Sequence, residues 1–215
     1  VNARLESRWL LAHVTGCQSS DLISRGPEAV LEQTITAFRD RISRRVGREP
    51  LQHILGTTEF YGLEFLTDAR ALVPRPDSEI VVEAALACIP DAPETFIADL
   101  GTGSGCLLAA ILAHRPLAMG EGVEASADAA SLARANLARL GLSGRATVHE
   151  GSWTGWQKWA LADLIISNPP YIALNEMPDL SEEVRGHEPE MALTDWGDGL
   201  GAYRKIAEGI GSFLL

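Results

Sequence analysis

Two short runs in the chain combine residue types that could do chemistry together: Asp99-Leu100-Gly101-Thr102-Gly103-Ser104-Gly105 and Asn168-Pro169-Pro170-Tyr171. In the first, glycines let the backbone turn sharply and let a ligand approach the main chain, and a helix opening behind them would offer free N–H groups. A plain turn would also explain the three glycines. Glu124, about twenty positions further on, points to a nucleoside, because an acid there can accept hydrogen bonds from both hydroxyls of a ribose. The competing reading is that Glu124 caps a helix opening at Ser126. A dinucleotide fingerprint would read GxGxxG and hold a pyrophosphate, which Asp99 would repel. Asp99 would instead attract the ammonium of a methionine moiety, so charge favours S-adenosylmethionine over a nicotinamide dinucleotide.

The second run suits methylation of a planar nitrogen. An amide nitrogen is a poor nucleophile because its lone pair is delocalised, so a site must grip its N–H groups while leaving the lone pair facing the methyl. The Asn168 side-chain oxygen and the Pro169 carbonyl can supply two acceptors, Pro169 and Pro170 stiffen the backbone without adding donors, and Tyr171 can cover the flat face of the amide. Fixed acceptors also stabilise positive charge developing on nitrogen, and no strong base is needed because a methylated amide nitrogen is very acidic. Asn and Pro are equally common in rigid turns, so position decides the meaning of the tetrapeptide. Cys17, Cys88, Cys106 and five histidines are scattered without CxxC or HExxH spacing, so neither a metal site nor a nucleophile triad is expected.

Both runs need a scaffold that brings them to one edge. Apolar and helical runs alternate as strand 96–100, helix 105–114, strand 120–124, helix 126–140 stopped by Gly141, strand 146–149 and strand 163–167. That alternation predicts an α/β class: a doubly wound parallel sheet of the Rossmann-like methyltransferase type, with both runs at the carboxyl ends of strands, where ligands collect. Gly120, Glu121 and Gly122 are poor material for a buried strand. Upstream, the spacing predicts helices over 4–14 and 27–47. The second carries Leu31, Ile35, Phe38, Ile42 and Val46 on one face, with Pro27 in its first turn and Gly47 at its stop. A hairpin over 57–67 turns at Gly62, Asp77 caps a helix through 80–88, and a last helix covers 200–210. The expected organisation is a helical substrate-recognition unit over 1–55, a hairpin linker over 56–75 and a methyltransferase domain over 76–215.

Apolar residues make up 46% and charged residues 22%, an ordinary globular composition. Apolar runs fall short of a bilayer span and the first residues lack a secretory layout, so a cytoplasmic monomer is the expectation. The net charge of −11 is uneven: residues 1–50 hold eight Arg against six acids, and the remainder holds ten basic against twenty-three acidic residues. Such an acidic body repels phosphate backbones and makes nucleic acid a poor partner. Arg39, Arg41, Arg44, Arg45 and Arg48 form either a docking face for an acidic partner or a solvated surface.

In order along nearly the whole chain, QHILGTTEF, LVPRPDSE, DLGTGSG, ISNPPY and HEPEMAL resemble the release-factor glutamine N5-methyltransferase family, also called HemK or PrmC. NPPY is shared with amino-methylating nucleic-acid enzymes, whereas PRPDSE and EPxxAL are specific to this group. The resemblance implies S-adenosyl-L-methionine as cofactor, S-adenosyl-L-homocysteine as product, and the glutamine of the Gly-Gly-Gln loop in class 1 peptide-chain release factors as substrate. It implies that Gly101, Thr102, Gly103, Ser104 and Gly105 embrace the cofactor, with Glu124 on the ribose and Trp153 on the adenine. Asn168, Pro169, Pro170 and Tyr171 would hold the glutamine amide, Asn168 bordering the cofactor as well, and Arg75 and Glu79 would flank the substrate entrance. Trp153 would serve equally as core packing. The chain departs from the pattern at Ser152, where relatives carry an acid beside the adenine, and at Glu124, where they carry Asp. Relatives also begin with another helix and continue through three more strands, so the chain is expected to be incomplete and its fourth strand to have an open edge. Two other readings stay open: an amino-methylating DNA or RNA adenine enzyme, and a truncated protein that binds the cofactor or a partner without turnover.

Overall fold

The Asn2 side chain accepts the N–H of Leu5, and Gly16, in the left-handed region at φ 67°, closes the other end, which bounds α1 (Ala3–Thr15). The computed structural model, which describes residues 2–24 and 29–212, continues through α2 (Asp21–Ser24), α3 (Glu32–Val46) and α4 (Leu51–Leu55). The expected start of α3 at Pro27 lies outside the described residues; the helix runs from Glu32, with Leu31 extended before it. The apolar stripe therefore divides. Phe38 and Ile42 pack against buried Leu10, Leu51 and Ile54, while Leu31, ahead of the first turn, and Val46, at the last, remain exposed. The short α4 lies between Pro50 and Gly56 and is too brief for periodicity to reveal.

The hairpin pairs β1 (Thr57–Phe60) with β2 (Leu63–Leu66) in antiparallel register. Tyr61 at φ 51° and Gly62 at φ 73° make the two-residue turn whose twist matches the strands. Phe60 and Phe65 meet edge to face at 6.2 Å and are buried in one core with Val82 and Ala85 of α5 (Glu79–Cys88). Asp77 does not cap that helix. Pro76 fixes the backbone early, Pro76–Ser78 form a 3-10 turn, and Ser78 enters α5 without a side-chain capping bond.

Four parallel strands follow: β3 (Phe96–Leu100), β4 (Met119–Glu124), β5 (Ala146–Glu150) and β6 (Leu164–Ser167), ordered β5-β4-β3-β6. Between them run α6 (Cys106–His114) and α7 (Ala127–Arg139). The glycines of β4 are there for space. A Cβ on Gly120 would lie 2.6 Å from Leu108 Cδ1 and 2.9 Å from the Ile97 carbonyl oxygen, and one on Gly122 would lie 2.7 Å from the Thr102 methyl. Between them Glu121 is buried but satisfied by Trp156 Nε1 at 2.6 Å, Lys158 Nζ at 2.5 Å and Thr147 Oγ1 at 3.0 Å. One face of the sheet packs Ile97 against Leu108, Ile111 and Leu112; the other packs Ala98, Leu100 and Val123 against Trp156 and Trp159. Among the described residues β6 pairs on one side only, with β3.

Beyond β6 come a 3-10 stretch (Leu174–Asp179), α8 (Glu182–His187), α9 (Glu190–Leu193) and α10 (Gly201–Gly211), the last placing Ile206 and Ile210 on the tryptophan face. Two arginines of the cluster, Arg45 and Arg48, meet this region. Arg45, mostly buried, bonds both Glu6 and Glu183 at 2.7 Å, Arg48 lies 3.6 Å from Glu182, and Arg44 pairs with Glu49. His187 Nε2 meets the Gly47 carbonyl oxygen at 3.0 Å. No helix among the described residues is long and apolar enough to cross a membrane.

Because the Ile97 backbone cannot move out of the way, Gly120→Ala is expected to destabilise the protein by about 1–3 kcal/mol, read from urea unfolding. An unchanged midpoint would mean that the glycine is not there to admit its neighbours.

Candidate functional site

Leu100 of β3 and Ser167 of β6 stand side by side in the ladder, and Ser167 Oγ donates to the Leu100 carbonyl oxygen at 2.7 Å. Gly101 and Asn168 therefore leave the sheet from adjacent points on its carboxyl edge. A cavity of 300 Å³ opens there, and Gly101, Thr102, Gly103, Ser104, Glu124, Trp153, Asn168, Pro170 and Arg75 all line it. Gly101, at φ 73°, lets Trp153 close to 3.2 Å of where a Cβ would stand. Gly105, at φ 80°, is not on the cavity wall; it lets Ala133 of α7 come equally near.

Asp99 sits beneath the loop, buried rather than on the wall. Its Oδ2 accepts from Thr102 Oγ1 at 2.7 Å, while its Oδ1 has no hydrogen-bond partner. Burial pushes this carboxyl up to about 7. Glu124 holds the loop from the next strand: Oε2 accepts the Gly103 N–H and Oε1 the Ser126 N–H, each at 2.9 Å. The helix-end contact weighed against a ribose role is thus present, and each oxygen keeps a lone pair for a ligand hydroxyl. Trp153 lines the cavity and also joins the Trp156 and Trp159 cluster; its buried Nε1 has no partner. Ser152 is not a wall residue. Its Oγ accepts the Thr154 N–H at 3.3 Å and so caps a 3-10 turn, Trp153–Gly155.

On the other side, Asn168 Nδ2 approaches Ser78 Oγ at 3.5 Å, so its side-chain oxygen is the atom available to a ligand. Pro169 is not among the wall residues, and Tyr171 is 57% exposed outside the cavity. Arg75 lines the wall and donates from Nη2 to Glu188 Oε1 at 2.9 Å. Glu79 faces elsewhere, accepting the Tyr61 N–H in the hairpin turn at 2.9 Å.

Three residues went unread in the sequence. Ser78, in the PRPDSE run, faces Asn168. Glu188, in HEPEMAL, has a wholly buried carboxylate that takes Arg75 and, at 3.3 Å, the Val73 N–H, which ties wall residues 70–75 to 189–192. Burial raises the Glu188 carboxyl above its ordinary range and lowers His53, whose Nε2 lies 4.0 Å away. Asn136, fully buried in α7, accepts the Leu66 N–H at 2.7 Å and donates to the Ser104 carbonyl at 2.9 Å, fastening the glycine loop to the hairpin. A polar residue amid the alanines and leucines of α7 was the available signal. Among the described residues no group of His, Cys, Asp and Glu is arranged to hold a metal ion.

The chain matches the PrmC N-terminal domain family over residues 1–56 and the methyltransferase small domain family over residues 80–184. It is 41% identical to a release factor glutamine methyltransferase of Geobacter sulfurreducens, across 99% of this chain and 74% of that protein. It is 37% identical to one of Caulobacter vibrioides, across 94% of this chain and 70% of that protein. Among solved structures it is similar in fold to the hMettl16 catalytic domain in complex with a MAT2A 3′UTR hairpin, with a TM-score of 0.60 and 19% identity over 75% of this chain and 62% of that one.

Asp99, raised by burial, binds its proton more tightly folded than unfolded, so it subtracts stability as pH climbs from about 4 to about 7, and the loss is complete above that. Asp99→Asn should therefore raise Tm at pH 8 by about 5 °C and much less at pH 4. Equal shifts at both pH values, read by calorimetry without ligand, would contradict the assignment.

Proposed function

This chain belongs to the release factor glutamine methyltransferases, and from that premise we propose that it methylates the side-chain amide nitrogen, N5, of the glutamine in the Gly-Gly-Gln motif of peptide-chain release factors, using S-adenosyl-L-methionine. The observation that carries the reading is the single cavity shared by the glycine loop after β3 and Asn168 after β6.

The residues present fit the cofactor. A buried carboxylate oxygen of Asp99 beneath the glycine turn and the buried indole N–H of Trp153, a wall residue, lack partners, and Gly101 and Gly103 at positive φ keep the turn bare of side chains at their positions, which suits a ligand bearing both a cation and acceptor atoms. Gly101, Thr102, Gly103 and Ser104 would hold it, Glu124 would take the ribose hydroxyls, Trp153 would face the adenine, and Asp99 would balance its positive charge. When bound, it supplies a methyl carbon on a cationic sulfur and departs as S-adenosyl-L-homocysteine.

The rest falls to this chain's own groups. The Asn168 oxygen and the Pro169 carbonyl accept the two N–H bonds of the glutamine amide, with Ser78 steadying the Asn168 nitrogen. Those acceptors turn the nitrogen lone pair toward the methyl and stabilise the charge growing on nitrogen. Pro170 keeps the backbone rigid, Tyr171 and Arg75 border the approach, and the surplus proton leaves nitrogen for water. Residues 1–55 act as the recognition unit for the release factor, with 56–75 as the linker to the catalytic domain. The protein works as a monomer in the cytoplasm.

Incubation with labelled S-adenosyl-L-methionine and a class 1 release factor should place one methyl on the Gly-Gly-Gln glutamine, located by mass spectrometry. Label on adenine in DNA or RNA instead would overturn the substrate. Asn168→Ala is expected to lower kcat by about 100-fold or more while the cofactor Kd stays within about threefold. A parallel loss of both would remove Asn168 from the reacting nitrogen.

A further inference from the structure

The loop between α9 and α10 carries a feature that the proposed reaction leaves unused. Trp196 adopts φ 57°, the left-handed region that glycine takes freely and a bulky side chain adopts only at a cost. The loop around it is held from several directions. The Asp195 carboxylate accepts the N–H groups of Gly197 at 2.9 Å, Gly199 at 3.0 Å and Gly201 at 2.6 Å, and the Leu174 N–H donates to the Gly197 carbonyl at 2.9 Å. This rigid frame presents the indole to solvent, 54% exposed, while its Nε1 donates to Glu190 Oε1 at 3.0 Å. Glu190 is a wall residue of the cavity that Asn168 lines.

Trp196 meets that wall through Glu190, and two other exposed side chains lie along it. Met191, also a wall residue, and Tyr171, directly after Pro170, are both about half exposed. We propose that Trp196, Met191 and Tyr171 form a docking rim for the polypeptide loop that delivers the acceptor glutamine, with Trp196 as its main anchor. The inference rests on the glutamine reading above. A side-chain amide can reach Asn168 only if its own backbone crosses the mouth of the cavity, so the rim must meet the residues flanking that glutamine. Small residues expose the peptide planes there, and flat aromatic faces cover such planes with large contact area and little loss of side-chain freedom. Glu190, bonded to the indole, would repel a phosphate backbone, which favours a polypeptide over RNA.

Trp196→Gly removes the ring and relieves the backbone at once, and Trp196→Phe keeps a ring without the bond to Glu190. For Trp196→Gly the proposal expects KM for a release factor to rise about tenfold, with kcat at saturation and cofactor Kd unchanged and Tm equal or higher. Trp196→Phe should recover most of the loss in KM. An unchanged KM overturns the proposal, as does a fall in kcat together with a lower Tm, which would make the residue structural. A dimer of the wild type that Trp196→Gly dissolves would also overturn it, by giving the patch to a second copy. If the wild type labels no release factor, the glutamine reading fails first, and that failure is seen before any substitution is made.

Discussion

The arrangement depends on one register: Leu100 of β3 beside Ser167 of β6, sealed by the Ser167 hydroxyl on the Leu100 carbonyl. Side chains alternate along a strand, so a slip of one residue would carry Asn168 out of line with the glycine loop and invert the buried face of β6. The order β5-β4-β3-β6 makes β3 the switch point: the chain travels outward through β4 and β5, then returns to the other side of β3. Loops leaving β3 and β6 diverge there and open the crevice. The bare backbone of β4 serves the same end, because Gly122 admits the Thr102 side chain, and Thr102 in turn donates to Asp99 under the loop.

A second constraint joins the two walls. Glu188 holds a buried carboxylate between Arg75 and the Val73 N–H, and removing the Arg75 guanidinium would strip that carboxylate of its ion pair deep in the protein. The segment just before Glu188 is anchored to the N-terminal helices by Arg45 and by His187 on Gly47. The helical unit therefore holds the segment that leads into the cavity wall at residues 189–192. Of the arginine cluster, Arg45 is consumed inside the molecule and is not available to a partner.

Much of this was legible in the sequence because local signals and tertiary needs agree. Strands read as apolar runs, Ser126 and Gly141 bound α7, and the glycine loop and NPPY fall where an alternating pattern puts strand ends. The misreadings arise where tertiary packing overrides a local rule. The strand expected over 120–124, by contrast, is present, and the close approach of Leu108 and Thr102 explains why poor strand material such as Gly120 and Gly122 stands in it. Asp77 looks like a helix cap, yet Pro76 begins a 3-10 turn first. Glu79 looks like part of the entrance within PRPDSE but turns back to the hairpin, while its neighbour Ser78 faces Asn168. The roles of Glu188 and Asn136 depend on partners far away in sequence, which no periodicity encodes.

Besides the unpaired His53 Nε2 near Glu188, three departures from good folding practice lie in and around the site. Asp99 is buried with an oxygen unpaired, Trp153 is buried with its N–H unpaired, and Trp196 holds a conformation suited to glycine. Each is unfavourable in the isolated protein and would be replaced if stability were the only demand. None lies in the small core of the N-terminal helices or on the satisfied Glu121 cluster beneath β4. Trp153 lines the cavity at the switch point, Asp99 lies beneath its glycine loop, and Trp196 reaches its wall through the bond to Glu190. In the proposed complex a cation against the glycine loop would favour the charged form of Asp99 beneath it, so part of the ligand's affinity would come from relieving a cost that burial already imposes on the protein alone.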